Sequence, residues 1–195
     1  MFDIPTNIVI EDRQFNIREG GDYRMVLDCF SILNDIELDK EERIVGCLMI
    51  FYEDFDDIMS IYRLPSETLA ALTQEMFKFF NCGQEENDTK NSPRLIDWDK
   101  DEQLVCSAVN KVAGQEIRAV QYMHWWTFMG YYMAIGDSAL ATIISIRYKI
   151  VHNKKLEKHE RDFKRDNPQY FNWDRKTSEQ HEAEDWVVKM WNGGK

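Results

Sequence analysis

The sequence predicts a mainly α fold: a single helical domain around a buried aromatic helix, with a short N-terminal β-hairpin and a C-terminal amphipathic helix. Three observations carry this reading. Apolar residues recur at i, i+3 and i+4 spacing through most of the chain. Strand-like alternation is confined to its first 17 positions. Finally, Ala119–Gly136 contains no Asp, Glu, Lys or Arg, although these make up 30% of the 195 residues. A helix over Glu116–Ile135 would be apolar on nearly every face and so buried on most sides. The remaining helices look one-sided and would pack around it.

In chain order, Asn7–Ile10 and Gln14–Ile17 alternate across the polar Glu11-Asp-Arg13, the pattern of a hairpin, with Gly20-Gly21 as its end. An isolated hairpin is marginal and must lie on the helices or pair with another chain. Asp22 is a fitting N-cap for a helix over Tyr23–Leu33, with Met25, Val26, Cys29, Phe30 and Leu33 on one stripe. Asp39 and Glu42 have capping-box spacing ahead of a helix through Tyr52. Acidic Glu53–Asp57 then marks a turn. Pro65 opens a helix to Phe80, with Leu69, Leu72, Met76, Phe79 and Phe80 inward and Gly83 as the stop.

Gln84–Pro93 lacks apolar residues and reads as a mobile loop. Asp97–Glu102 leads into a helix over Gln103–Val112, ended at Gly114. Ser138–Val151 follows a helical pattern through Ile143, Ile146 and Ile150 despite its β-branched content. The expected organisation is a core domain over 1–151, including the hairpin at 1–21, then a charged helix or linker over 152–176 broken by Pro168. A C-terminal amphipathic helix over 177–195 carries Ala183, Trp186, Val187, Met190 and Trp191 at helical spacing.

Charge is unevenly placed within the net −11. Residues 1–118 carry 25 Asp/Glu against 12 Lys/Arg (net −13), and 119–195 carry 10 against 12 (net +2). This argues against a nucleic-acid partner, which requires a basic face to displace counterions. It allows head-to-tail stacking of a bipolar molecule, or a basic partner for the acidic half. The four cysteines (29, 47, 82 and 106) show no C-x-x-C spacing and suit small buried hydrophobes in a reducing, cytosolic setting. Met1-Phe-Asp-Ile-Pro5 lacks the basic start and apolar core of a signal peptide. The uncharged run approaches transmembrane length, but Gln121, His124, Thr127 and two glycines dilute it, so no membrane span is expected.

Few constellations suggest chemistry. Asp97-x-Asp99-x-Asp101 begins like a calcium loop, then fails at Glu102 and Ala108, where Gly and Glu are required. His152 and His159 lack a third strong ligand nearby, so no zinc site is expected. His124, in the uncharged run, is the one tempting acid–base group, yet a core histidine bonded to a backbone carbonyl explains it equally. No phosphate loop, G-x-S-x-G or H-E-x-x-H occurs. The expectation is no enzyme, no cofactor and no metal. Trp125 and Trp126 should face directions about 100° apart on a helix, one packing centrally and the other against a different element or a partner. The Trp186/Trp191 stripe suits docking on its own domain, a neighbouring subunit or a client, because tryptophans are common anchors.

Four features then occur together: the hairpin, Phe79-Phe80-Asn81-Cys82-Gly83 ending a helix, Asp97-Trp98-Asp99 opening the next, and Tyr122-Met123-His124-Trp125-Trp126-Thr127-Phe128. In these the chain resembles the phage gene-product-fifteen family of tailed phages and prophages of Gram-positive bacteria, over roughly residues 5–170. Met123 departs from the family's usual Leu, and the Trp-bearing segment after Pro168 extends beyond its pattern. The resemblance implies a tail-module protein encoded between the major tail protein and the tape measure. It therefore implies a tail-assembly chaperone in the host cell cytoplasm that binds the tape measure protein, self-associates, and has the major tail protein as a further partner. The groove for the client would be the exposed side of the 117–136 segment or the C-terminal stripe of Trp186, Val187, Met190 and Trp191. The alternative is a structural tail or connector subunit retained in the virion.

Overall fold

The computed structural model describes residues 3–84 and 95–171. The Gln84–Pro93 loop, apart from Gln84, and the C-terminal segment with Trp186, Val187, Met190 and Trp191 lie outside the described residues. The chain divides into two compact units. Among the described residues, unit 1 holds 3–84 and 121–129, and unit 2 holds 95–120 and 130–171.

Unit 1 opens with the antiparallel pair β1 (Asn7–Ile10) and β2 (Arg13–Asn16), in register Ile8 to Phe15 and Ile10 to Arg13. Glu11 and Asp12 have φ of 49° and 64°, so the two-residue turn is of the type whose twist matches the strands. The hairpin rests on the helices as expected. Phe15 is fully buried beside Tyr52 and Phe55, and Ile17 bridges to Tyr52.

Helix α1 (Tyr23–Asn34) starts at Asp22, whose carboxylate accepts from the Arg24 amide. Its anticipated stripe is its buried face. Helix α2 (Lys40–Phe51) has the full capping box: Glu42 N–H donates to Asp39 at 2.9 Å, and Asp39 N–H to Glu42 at 2.8 Å. A short helix α3 (Ile58–Tyr62) follows, capped by Asp57. Five residues are too few for a period to show in sequence. Helix α4 (Ser66–Phe80) buries Leu72, Met76, Phe77, Phe79 and Phe80, leaving Leu69 half-buried.

In unit 2, helix α5 (Glu102–Ala113) ends at Gly114, and helix α7 (Ala139–Val151) starts at Ser138, whose hydroxyl accepts from the Ala141 amide. The two helices pack together. The inner face of α7 is Leu140, Ile143, Ile146 and Arg147, while Ile150 is exposed, which corrects the expected stripe. The charged run after His152 forms helix α8 (Lys158–Asp166), followed by a 3-10 turn at Pro168–Tyr170.

The expected helix over Glu116–Ile135 is corrected. Ile117–Ala119 is a 3-10 turn, residues 120–123 are not helical, and helix α6 is only Trp125–Met133. The cause is a tertiary backbone partner. Tyr23 N–H donates to Met123 C=O at 2.9 Å and Trp125 N–H to Gly21 C=O at 2.8 Å, forming a bridge between Asp22 and His124. Those bonds hold the chain extended where periodicity favours a helix.

Candidate functional site

The His-Trp-Trp stretch and the Phe-Phe-Asn-Cys-Gly stretch, 41 residues apart at their nearest, meet in unit 1. Helix α4 ends in a left-handed cap: Cys82 N–H donates to Phe79 C=O at 3.0 Å and Gly83 N–H to Lys78 C=O at 2.9 Å. The left-handed cap residue is Cys82, with φ of 56°, rather than Gly83. Gly83 also has positive φ, and a Cβ there would lie 3.0 Å from the Trp126 ring. Burial pushes the Cys82 thiol up to about 11, so it is a poor nucleophile at neutral pH.

Both tryptophans finish this cap. Trp125 Nε1–H donates to Phe80 C=O and Trp126 Nε1–H to Phe79 C=O, each at 2.9 Å. Trp125 packs centrally, and Trp126 reaches the same helix end instead of a separate one, because long indoles leaving the helix at different angles converge on successive carbonyls. Trp125 is fully buried between Phe30 and Phe128, while Trp126 is half-buried over Phe79. Phe128 stacks on Tyr23 with centroids 4.7 Å apart, and the Tyr122 hydroxyl donates to Gly20 C=O at 2.9 Å.

His124 caps helix α6. Its Nδ1 accepts the Trp126 N–H at 3.0 Å, so the proton sits on Nε2, which lies 3.1 Å from Pro5 C=O. The imidazole is 2% exposed. Burial holds its pKa below the ordinary histidine value, against the opposing pull of the Pro5 carbonyl and Asp22. Both ring nitrogens are committed to backbone, and no cluster of three or more potential metal ligands occurs among the described residues. The carboxylate of Asp22, also buried, accepts the Met123 N–H and pairs with Arg24. This constellation is therefore a clasp joining three chain segments.

An open apolar groove lies in unit 2. A cavity of about 390 Å³ is lined by Leu95, Tyr132, Met133 and Ile135, and by Leu140, Ala141, Ile144 and Tyr148 along α7. Positions 141, 144 and 148 form a second apolar stripe on α7, turned away from its packed face. Met133 stands 77% exposed. Burial, reinforced by Asp101, pushes the Tyr132 phenol up to about 12, and the ring meets Trp98 at 5.4 Å. Among the described residues the groove lining holds no charged side chain and no nucleophile beyond the Ser145 and tyrosine hydroxyls.

One side chain fixes the groove's edge. Arg147 is buried and forms a two-pronged ion pair with Asp101, Nη2 to Oδ1 at 2.9 Å. It also donates to Leu95 C=O at 3.0 Å and to Tyr170 C=O at 2.8 Å. Asp97 and Asp99 lie in the turn before α5, where Asp97 accepts from Lys100 N–H and is tied to Asp101 through its backbone. His152 Nδ1 sits on Tyr148 C=O at 2.8 Å. The expected client surface, the exposed side of residues 117–136, contributes Tyr132, Met133 and Ile135 to the groove. The α7 residues were not anticipated; the signal was that Ala141, Ile144 and Tyr148 repeat at helical spacing beside the inner stripe.

Comparison with known protein families decides the relationship. The family model described as Bacteriophage Gp15 protein matches residues 3–172. The chain belongs to the Bacteriophage Gp15 family. Gp15 membership makes it a phage structural or morphogenesis protein. No curated protein and no solved structure matches it significantly. No helix among the described residues is long and apolar enough to cross a membrane. Of the residues by which the sequence resembled Gp15 proteins, Phe79, Cys82, Gly83, Tyr122, His124, Trp125, Trp126 and Phe128 gather in the unit 1 clasp. Asp97, Trp98 and Asp99 lie in unit 2, where the Trp98 ring meets the groove residue Tyr132.

Proposed function

We propose that this Gp15 protein is a tail-assembly chaperone. It holds apolar helical segments of the tape measure protein in the unit 2 groove until the tail tube assembles, in the host cytoplasm and without catalysis. The observation that carries this reading is the groove: an open apolar cavity of about 390 Å³, lined along α7 and by an exposed methionine. Helix-in-groove recognition needs such a surface. The flexible thioether of Met133 tolerates varied side chains, which suits a client that presents many similar segments. The acidic balance of the chain favours a protein partner over nucleic acid, and the buried, doubly bonded His124 favours binding over turnover.

Co-expression of the intact chain with overlapping tape measure fragments, followed by co-purification, tests the proposal. Retention of apolar helical fragments is expected, and its loss in Met133→Lys/Ile144→Asp. Absence of retention by the wild type would count against a chaperone. Finding the chain in purified virions at a fixed ring-like copy number would instead favour the structural tail or connector reading.

A further inference from the structure

The described surface also carries two patches of opposite charge. The first is on unit 1. Residues 35–57 hold nine Asp/Glu against two Lys/Arg, and no ion pair among the described residues neutralises any of the nine. Directly after this acidic stretch comes an apolar stripe on α3: Ile58 is 46%, Met59 52% and Tyr62 50% exposed. Helix α3 packs against α2, and the carboxylates of Glu41, Asp39 and Glu42 raise the pKa of the Tyr62 phenol, so the start of α2 forms one acidic rim. Asp56 and the cap residue Asp57 form the other.

The second patch is on unit 2. Helix α8 places Lys158, Arg161 and Lys164 at i, i+3 and i+6, along one side. None of them, nor Lys155, pairs with a carboxylate among the described residues, because Asp162 and Asp166 are both taken by Arg165. Glu160 points inward to Lys149 at 2.6 Å, holding α8 against the end of α7, where Val151 is 49% exposed. The outward side is therefore basic, with an apolar residue beside it.

We propose that the acid-rimmed Ile58–Met59–Tyr62 stripe of one copy takes the basic side of α8 from a second copy, so that the protein associates head to tail. Opposite charge steers and registers the contact, and the apolar stripe supplies buried area. The two faces differ, so each contact leaves one of each kind free. The assembly closes into a ring if the rotation permits, and otherwise grows as a chain. The inference stands independently of what occupies the groove.

Sedimentation velocity of the full chain over a range of concentrations tests it, with two charge-reversed variants. One variant carries Asp56→Lys/Glu41→Lys, the other Lys158→Glu/Arg161→Glu. Wild type is expected to form species that grow with concentration and dissociate in high salt. Each variant alone should associate about tenfold or more weakly. An equal mixture should recover association, since the intact α8 of the first variant meets the intact patch of the second; recovery also shows that both are folded. A wild type that stays monomeric, a salt-insensitive oligomer, variants that associate normally, or a mixture that fails to recover would each overturn the proposal.

Discussion

Gly21→Ala should be among the most costly single-methyl changes in unit 1. Gly21 has φ of 84°, and a Cβ there would lie 2.7 Å from Cζ of Phe79 and 3.0 Å from Nε2 of His124. Both neighbours are buried, at 4% and 2% exposure, and neither can swing into solvent. Left-handed backbone with a Cβ costs about 1–2 kcal/mol. Forcing a methyl into a filled core costs about 1–3 kcal/mol more. The adjacent Gly20 is the control. Its φ is 60°, but its Cβ would meet nothing nearer than 3.6 Å, so Gly20→Ala carries the backbone cost alone. Urea unfolding followed by tryptophan fluorescence should therefore place Gly21→Ala about 1–3 kcal/mol below Gly20→Ala. Equal losses for the two would show that the clasp is not closed around Gly21 and would refute the reasoning.

Other outcomes follow from the same geometry. Arg147→Met leaves Asp101 buried without its partner and frees the Leu95 and Tyr170 carbonyls; a loss of about 3–5 kcal/mol is expected in unit 2, read by hydrogen exchange of α5 and α7. His124 has its folded pKa below the unfolded value, so the unfolded chain binds the proton first as pH falls below about 6.5. Stability is then lost on acidification until the folded pKa is passed. Wild type should lose more stability between pH 7 and pH 5 than His124→Asn, which retains a capping oxygen; parallel pH profiles would contradict the neutral imidazole. Met133→Lys should leave stability within about 0.5 kcal/mol, because the side chain is mostly in solvent, while weakening capture of tape measure fragments.

The sequence is legible where local chemistry decides the structure. The Asp39/Glu42 box, the Asp22 cap and the Gly114 stop each act within four residues, and each lies where spacing placed it; the hairpin turn is Glu11-Asp12 alone, with the expected turn residue Arg13 paired in β2. The uncharged run shows the opposite case. Nothing between Val120 and His124 breaks helical periodicity. The break is made by Gly21 and Tyr23, about a hundred residues away in sequence, whose backbone groups pair with Met123 and Trp125. Convergence of Trp125 and Trp126 on one helix end was hidden for the same reason, since side-chain reach depends on where α4 stops. The groove was half legible: its α6 residues belong to the conspicuous run, whereas Leu95 is tied to the groove by Arg147, a partner 52 residues away.

Hydrogen exchange of the intact chain, free and saturated with a tape measure fragment, tests the division of labour between clasp and groove. Amides of residues 132–148 should slow on binding, while 121–126 stay unchanged because their bonds already close the fold. Protection centred on 121–126, with 132–148 unaffected, would place the client on the clasp and contradict the groove as its seat.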